Sequence, residues 1–122
     1  MLTRGAAPKW VRWWFRGGAA YGALALGASA LVPPAEPLAL LPHYAFAGTA
    51  LAFQIVFWII GGDPVRHRPL MLAGVAEKLA FGVPALLLAG SPGVPAAVIL
   101  FAAIDLVLGA GFALAWRVTP RR

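Results

Sequence analysis

The sequence contains no cysteine and very little acidic charge. Asp and Glu together number 4 among 122 residues, against 10 Lys and Arg, and all charged residues make up 11%, where soluble domains carry about 25%. The absence of cysteine excludes a disulfide scaffold and a thiolate metal site. Because 61% of the residues are hydrophobic, the few polar residues could not cover a soluble domain, and a disordered chain is excluded as well.

Four apolar stretches approach the length of about 20 residues that a membrane-crossing helix needs. Clusters of Gly and Pro separate them, as expected at the ends of helices. The connections are too short to fold independently, so residues 1–122 are predicted to form a single membrane domain. The predicted spans are about 17–32, 43–61, 69–89 and 95–116.

The basic residues predict the direction of the spans, because short cytoplasmic loops carry an excess of Lys and Arg. All ten except Lys78 lie in the N-terminal segment 1–16, in the second connection or in the C-terminal tail. Four crossings place these three segments on one face, so both termini are predicted to be cytoplasmic. The residues predicted to contact anionic lipid headgroups there are Lys9, Arg12, Arg16, Arg66, Arg68 and Arg117.

Segment 1–16 combines basic and aromatic residues. Lys9, Arg12 and Arg16 are spaced to form one stripe of a helix, and tryptophans fill much of the remaining surface. Such a turn lies at the level of the headgroups, so it is predicted to anchor the first span, with a specific docking site as the alternative. The net charge of +6 thus belongs to one membrane face, and lipid rather than nucleic acid is the predicted partner.

The end of the first span resembles the cleavage site of a secretory signal, because residues 28–30 read Ala-Ser-Ala. Cleavage there would leave only the later spans in the mature protein. A basic arm as long as 1–16 with several tryptophans is unusual for a signal, so the first span is expected to be retained.

Residues 62–71 read Gly-Asp-Pro-Val-Arg-His-Arg-Pro-Leu-Met, Glu77-Lys78 follow in the third span, and Asp105 lies in the fourth. In these features, from about residue 45 onwards, the chain resembles a group of small bacterial four-span membrane proteins with no assigned function. The resemblance implies a multi-pass protein of the bacterial inner membrane and nothing about its chemistry. A looser likeness to the DoxX-like four-helix proteins rests on architecture alone, and no residue role is carried over from it.

Four strongly polar side chains lie inside the predicted spans, where such groups face the bundle interior and find partners. At 1.5 Å of rise per residue they lie about 10 to 16 Å from the cytoplasmic ends of their helices, so three helices contribute to one layer. Tyr21 of the first span is expected at the edge of this layer. The four residues are Gln54, Glu77, Lys78 and Asp105.

Within this layer Lys78 is expected to turn towards Asp105. Glu77 and Lys78 are neighbours and point about 100° apart on a helix, so they are not expected to face each other. Glu77 is then expected to contact Gln54, Tyr21 or water, or to bind a proton. If all three ionise, one negative charge is in surplus. Two interpretations remain: the layer fixes the register of the third and fourth helices, or it is a proton or cation site coupled to a substrate.

The sequence carries no nucleophile–base pair, metal-ligand cluster or phosphate-binding loop, so neither an enzymatic activity nor a cofactor is predicted. Small residues favour close packing within one bundle, with a homodimer or a partner membrane protein as alternatives. We therefore predict an all-α integral membrane four-helix bundle that acts as an interaction or accessory component. The alternative function is a small proton- or cation-coupled transporter or channel that uses Asp105 and Glu77.

Overall fold

The computed structural model of the protein describes residues 5–121. Arg4 and Arg122, which belong to the predicted basic face, lie outside this range. The described residues form four helices and no β-strand, which confirms the predicted all-α four-helix bundle. The helices are α1 (Lys9–Ala30), α2 (Pro37–Gly62), α3 (Leu70–Leu87) and α4 (Ala96–Val118).

Proline and glycine set the ends of these helices. Pro37 occupies the first turn of α2, where its fixed φ suits the helix and its missing N–H is not needed. Pro8 and Pro95 directly precede α1 and α4. In the connection between α3 and α4, Gly90 and Gly93 have φ angles of 87° and 85°, in the left-handed region that favours glycine.

Two helices begin earlier than predicted. α1 starts at Lys9 rather than near residue 17, so the second half of the basic arm continues the first span without a break. Lys and Arg are good helix formers, and this stretch buries Val11 and Phe15 against the other helices. α2 starts at Pro37 rather than near residue 43 and takes in part of the predicted first connection.

The helices pack as two antiparallel hairpins. α1 lies along α2, and α3 lies along α4, with close contact over their lengths; contact between one hairpin and the other is much sparser. We call the end at which α1 and α3 begin the basic end. The opposite end, with the connections 31–36 and 88–95, is the distal end.

The best-packed core lies at the basic end. Phe15 stacks on Phe112 with ring centroids 4.1 Å apart, and Phe57 packs against Phe112 at 4.8 Å; none of the three rings is exposed. Gly74 makes room for them, because a Cβ atom there would lie 3.0 Å from Phe57 and 3.2 Å from Phe112. We call these three rings the aromatic plug.

The outer surface of the bundle is apolar. Leu31, Leu38 and Leu87 are each at least 80% exposed, an arrangement suited to contact with lipid. Three helices, α2, α3 and α4, are long and apolar enough to cross a membrane. The protein is therefore an integral membrane protein of the helical class. α1 is less apolar because its first two turns carry the basic residues of the arm.

Candidate functional site

A cavity of about 280 Å³ lies between the two hairpins, in the distal half of the bundle. All four helices contribute to its lining, and so do all four residues of the predicted polar layer. Three phenylalanines, Phe46, Phe81 and Phe101, form part of its walls. The polar lining residues are Tyr21, Ser29, Gln54, Glu77, Lys78 and Asp105.

The cavity exists because small side chains face the axis where the hairpins are loosely joined. Gly22, Ala25 and Ala50 line it from the first hairpin, and Ala97 from the second. At the basic end the aromatic plug fills the corresponding space. The polar layer lies between these regions, since the Nζ atom of Lys78 is 5.4 Å from the centroid of the Phe57 ring.

An ion triad forms the charged part of the lining. The Nζ atom of Lys78 lies 3.4 Å from the Oδ1 atom of Asp105 and donates a hydrogen bond to it. The expected turn of Lys78 towards Asp105 is therefore confirmed. Lys78 is 2% exposed, whereas the side chains of Glu77 and Asp105 retain 12% and 16% exposure.

The expectation that Glu77 and Lys78 do not meet was wrong. The Nζ atom of Lys78 lies 3.4 Å from the Oε1 atom of Glu77 as well. The angle between neighbouring residues describes where their side chains leave the helix, but the four-carbon stem of lysine is long enough to close that gap. Lys78 thus bridges the two carboxylates of the triad.

Neither Gln54 nor Tyr21 forms a hydrogen bond with Glu77, although both were expected as possible partners. The Nε2 atom of Gln54 donates to the backbone oxygen of Ala50, 2.7 Å away in its own helix. The buried Oε1 atoms of Gln54 and Glu77 and the hydroxyl of Tyr21 have no hydrogen-bond partner among the described residues. The Oε1 atom of Glu77 keeps its ion pair with Lys78. Among the described residues, the Oε1 atom of Gln54 and the hydroxyl of Tyr21 are therefore the two buried polar atoms of the lining with no partner, whereas buried polar atoms are usually satisfied.

Gly22 allows Gln54 to reach this position. A Cβ atom at Gly22 would collide with the side-chain amide of Gln54. A glycine is therefore needed at position 22, where α1 crosses the polar layer. The sequence predicted close helix packing by small residues but not this contact with Gln54.

Three of the six predicted headgroup residues also contact the ends of helices. The Nε atom of Arg12 donates to the carbonyl of Gly61 at 3.2 Å. The guanidinium of Arg16 donates to the carbonyl of Trp58 and lies 4.5 Å from the centroid of its ring. These contacts satisfy carbonyls at the end of α2, where cations are favoured. Sequence reasoning missed this capping.

The second hairpin repeats the arrangement. The Nε atom of Arg68 donates to the carbonyls of Trp116 at 2.9 Å and Thr119 at 2.8 Å, and its guanidinium lies 4.4 Å from the centroid of the Trp116 ring. The remaining headgroup candidates, Lys9, Arg66 and Arg117, have no side-chain hydrogen bond or ion pair within residues 5–121.

No group of three or more His, Asp or Glu residues in the described part of the chain is placed to hold a metal ion. The fold and site together define a helical membrane bundle with an internal ion triad beside a cavity. No protein-family model matches the chain, and neither a curated protein nor a solved structure matches it. The resemblance to bacterial four-span proteins accordingly stays a prediction.

Proposed function

We propose that the protein is a small four-span transporter of the bacterial inner membrane, which moves a proton or monovalent cation by way of the ion triad. The observation that carries this proposal is the position of the triad on a cavity wall. A polar layer that served only to fix helix register would be expected to lie sealed between helices. The geometry therefore favours the second of the two functions that the sequence leaves open.

The charges of the triad support a cationic substrate. Two carboxylates share one ammonium, which leaves a surplus negative charge when all three groups ionise. An unneutralised charge is costly in the bilayer, and a bound proton or monovalent cation removes it. Both ion pairs measure 3.4 Å, longer than the roughly 2.7–2.9 Å of a tight charge-assisted bond, so Lys78 can yield to a competing cation.

In the proposed topology α1 crosses the membrane in addition to α2, α3 and α4, and both termini lie in the cytoplasm. α1 has 22 residues and is thus about 33 Å long. Its first two turns lie at the headgroup level, and snorkelling of their Lys and Arg side chains lets the shorter apolar part cross a hydrocarbon core of about 30 Å. With four crossings, the segment 63–69 and both ends of the chain share the basic end. Its Arg and Lys residues then lie in the cytoplasm, as the positive-inside rule requires.

In this proposal the cavity and the aromatic plug serve as opposite halves of an alternating-access path. The cavity gives the triad access from the distal, periplasmic side, and the plug blocks the cytoplasmic side. The two hairpins are tightly packed internally and loosely packed against each other. Each hairpin can therefore move as a unit, and rocking one against the other would part the rings of the plug.

Proton flux into proteoliposomes tests the proposal. We expect Asp105→Asn and Glu77→Gln to reduce flux to the level of protein-free vesicles. The matched controls Asp63→Asn and Glu36→Gln, which change the two acidic residues outside the cavity, are expected to retain wild-type flux. Wild-type protein that passes no more protons or monovalent cations than empty vesicles would contradict the proposal, provided that circular dichroism shows it folded.

Reporter fusions test the topology separately. A cytoplasmic reporter fused after Arg66 and one fused after Arg121 should both be active, whereas a fusion in the connection 31–36 should be active only with a periplasmic reporter. A periplasmic signal from the Arg66 fusion would reject the proposed orientation.

A second function, as an accessory component, is favoured by a different feature. A shallow groove of about 330 Å³ lies between α1 and α2 on the outer surface. Ala19, Ala20 and Ala23 line one side of it, and small residues of this kind let another helix approach closely. Under this proposal the occupant is a partner membrane protein or a second copy of the chain. Ala20→Leu should then abolish a cross-linked complex in native membranes while leaving proton flux unchanged.

A further inference from the structure

The cavity places charged and aromatic groups on one continuous surface. The ion triad lies at one end, and Phe46, Phe81 and Phe101 line the walls. Phe46 and Phe81 pack at a centroid distance of 5.8 Å with an angle of 35° between their planes. Aromatic faces attract cations and also provide apolar contact area, so the site suits a ligand that has both a positive charge and a hydrocarbon body.

We infer that the substrate is a protonated primary or secondary amine with a compact apolar body, an inference that rests on the proposed transport function. The unsatisfied atoms of the site give the reason. The Oε1 atom of Gln54 is a buried acceptor without a hydrogen-bond partner among the described residues, and the Oε1 atom of Glu77 has only its 3.4 Å ion pair with Lys78. Gln54 itself is 4% exposed. An alkylammonium group carries only donors, so it complements these two acceptors in charge and in hydrogen bonding.

The site already holds one alkylammonium group. The Nζ atom of Lys78 lies between the two carboxylates at equal distances of 3.4 Å, and the Phe57 ring lies behind it. A substrate ammonium that approaches from the cavity meets the same carboxylates from the opposite side. Its binding neutralises the surplus charge and satisfies the acceptor atoms of Gln54 and Glu77.

The walls distinguish an organic amine from an inorganic ion. A hard metal cation takes oxygen ligands around its whole surface, whereas much of this cavity is lined by carbon, including Leu26 and Val98. The volume of about 280 Å³ lies just below the range of about 300–1,000 Å³ for pockets that hold drug-sized ligands. A body of one ring or a short branched chain fits this size.

Equilibrium dialysis of radiolabelled benzylamine against the full chain in dodecyl maltoside at pH 7 tests the inference. Benzylamine is protonated under these conditions and is expected to bind saturably. Three competitors separate the parts of the inference: benzyl alcohol lacks the charge, benzyltrimethylammonium lacks the N–H donors, and ammonium chloride lacks the body. Each is expected to compete at least about tenfold more weakly than unlabelled benzylamine. Benzyl alcohol and benzyltrimethylammonium lose charge-assisted hydrogen bonds, and ammonium loses the apolar contact area.

Variants locate the binding site. Asp105→Asn, Gln54→Leu and Phe101→Ala are each expected to weaken benzylamine binding at least about tenfold. The controls are Asp63→Asn at the basic end and Leu100→Ala, which changes the exposed neighbour of Phe101; both should bind as the wild type does. Thermal unfolding of every variant shows whether a loss of binding is merely a loss of fold.

The outcomes separate this inference from the proposed function. If benzylamine does not bind but proton flux still depends on Asp105, the inference of an amine substrate is overturned and the transporter proposal stands. Equal competition by benzyl alcohol or benzyltrimethylammonium would overturn the role of the charge or of the N–H donors. Binding that survives in folded Asp105→Asn and Gln54→Leu protein would place the amine elsewhere and overturn the inference. Absence of both flux and binding would remove both proposals.

Discussion

At the basic end of the bundle three phenylalanine rings fill the axis, whereas at the distal end the same axis is a cavity of about 280 Å³. The same four helices build both ends, and large apolar side chains are exposed at both. The difference arises from the side chains near the axis. Three phenylalanines fill it at the basic end, whereas at the distal end Gly and Ala leave the axis open and the phenylalanines of that end only form walls of the cavity.

The ion triad lies at the boundary of these two regions. Lys78 contacts the Phe57 ring on one side and lines the cavity on the other. The three rings fill the bundle axis at the basic end by close packing, so the charged groups are accessible from the cavity side. Four substitutions test this difference between the two ends.

The largest effect is expected from Lys78→Met. It removes the only cation between Glu77 and Asp105 in the described part of the chain and leaves two carboxylates facing each other in a poorly hydrated site. Removing one partner of a buried ion pair costs about 3–5 kcal/mol. We expect a large loss of stability in detergent unfolding, while Lys9→Met, at an exposed position, should unfold as the wild type does. An unchanged unfolding midpoint for Lys78→Met would show that the triad contributes nothing to stability.

Phe112→Ala is expected to have the next largest effect because it empties the plug. A buried Phe→Ala change destabilises the cores of soluble proteins by about 3–5 kcal/mol. We expect a loss of about 3 kcal/mol here, because a side chain that leaves the packed bundle enters lipid rather than water. Phe101→Ala is the matched change at the distal end, where the ring is 41% exposed, and should cost much less. Equal losses at the two sites, measured by unfolding in detergent, would erase the proposed difference between the ends.

Gly22→Ala should have a smaller effect, about 1–2 kcal/mol, since overpacking displaces the flexible end of Gln54. The displacement also breaks the hydrogen bond from Gln54 to Ala50. Gly27 is the control, because a Cβ atom there meets nothing within 4 Å; Gly27→Ala should be neutral or stabilising by helix propensity. The double variant Gly22→Ala with Gln54→Ala should recover stability, and failure to recover would show that the strain lies elsewhere.

The smallest effect is expected from Arg68→Gln at the basic end. It removes the donor to the carbonyls of Trp116 and Thr119 and the stacking on the Trp116 ring. Charged caps at helix ends contribute about 1 kcal/mol. Arg66→Gln is the control, since Arg66 is exposed and neighbours the same loop. If the two variants unfold alike, the arginine acts through lipid headgroups rather than through the helix end.

Much of the fold follows from local features of the sequence. Apolar length predicts the helices, and Gly and Pro predict the breaks between them. The approximate depth of Gln54, Glu77, Lys78 and Asp105 also follows, because depth along a helix is a count of residues. These four residues do line one cavity.

The contacts within that layer could not be predicted in the same way. Whether Lys78 meets Glu77 depends on how far its side chain bends, not on the angle at which it leaves the helix. The starting point of α1 at Lys9 was also missed, because hydropathy detects lipid contact and not the burial of Val11 and Phe15 against other helices. The capping by Arg12, Arg16 and Arg68 depends on which helix ends lie beside them.

Residues that are close together in the chain are enough to make the protein helical, apolar on its outer surface and polar in one internal layer. That this layer borders a cavity, and that aromatic rings close the opposite end, became visible in the packed bundle alone. Both depend on the gap between two hairpins, and that gap is set by the sizes of side chains that meet from distant parts of the sequence.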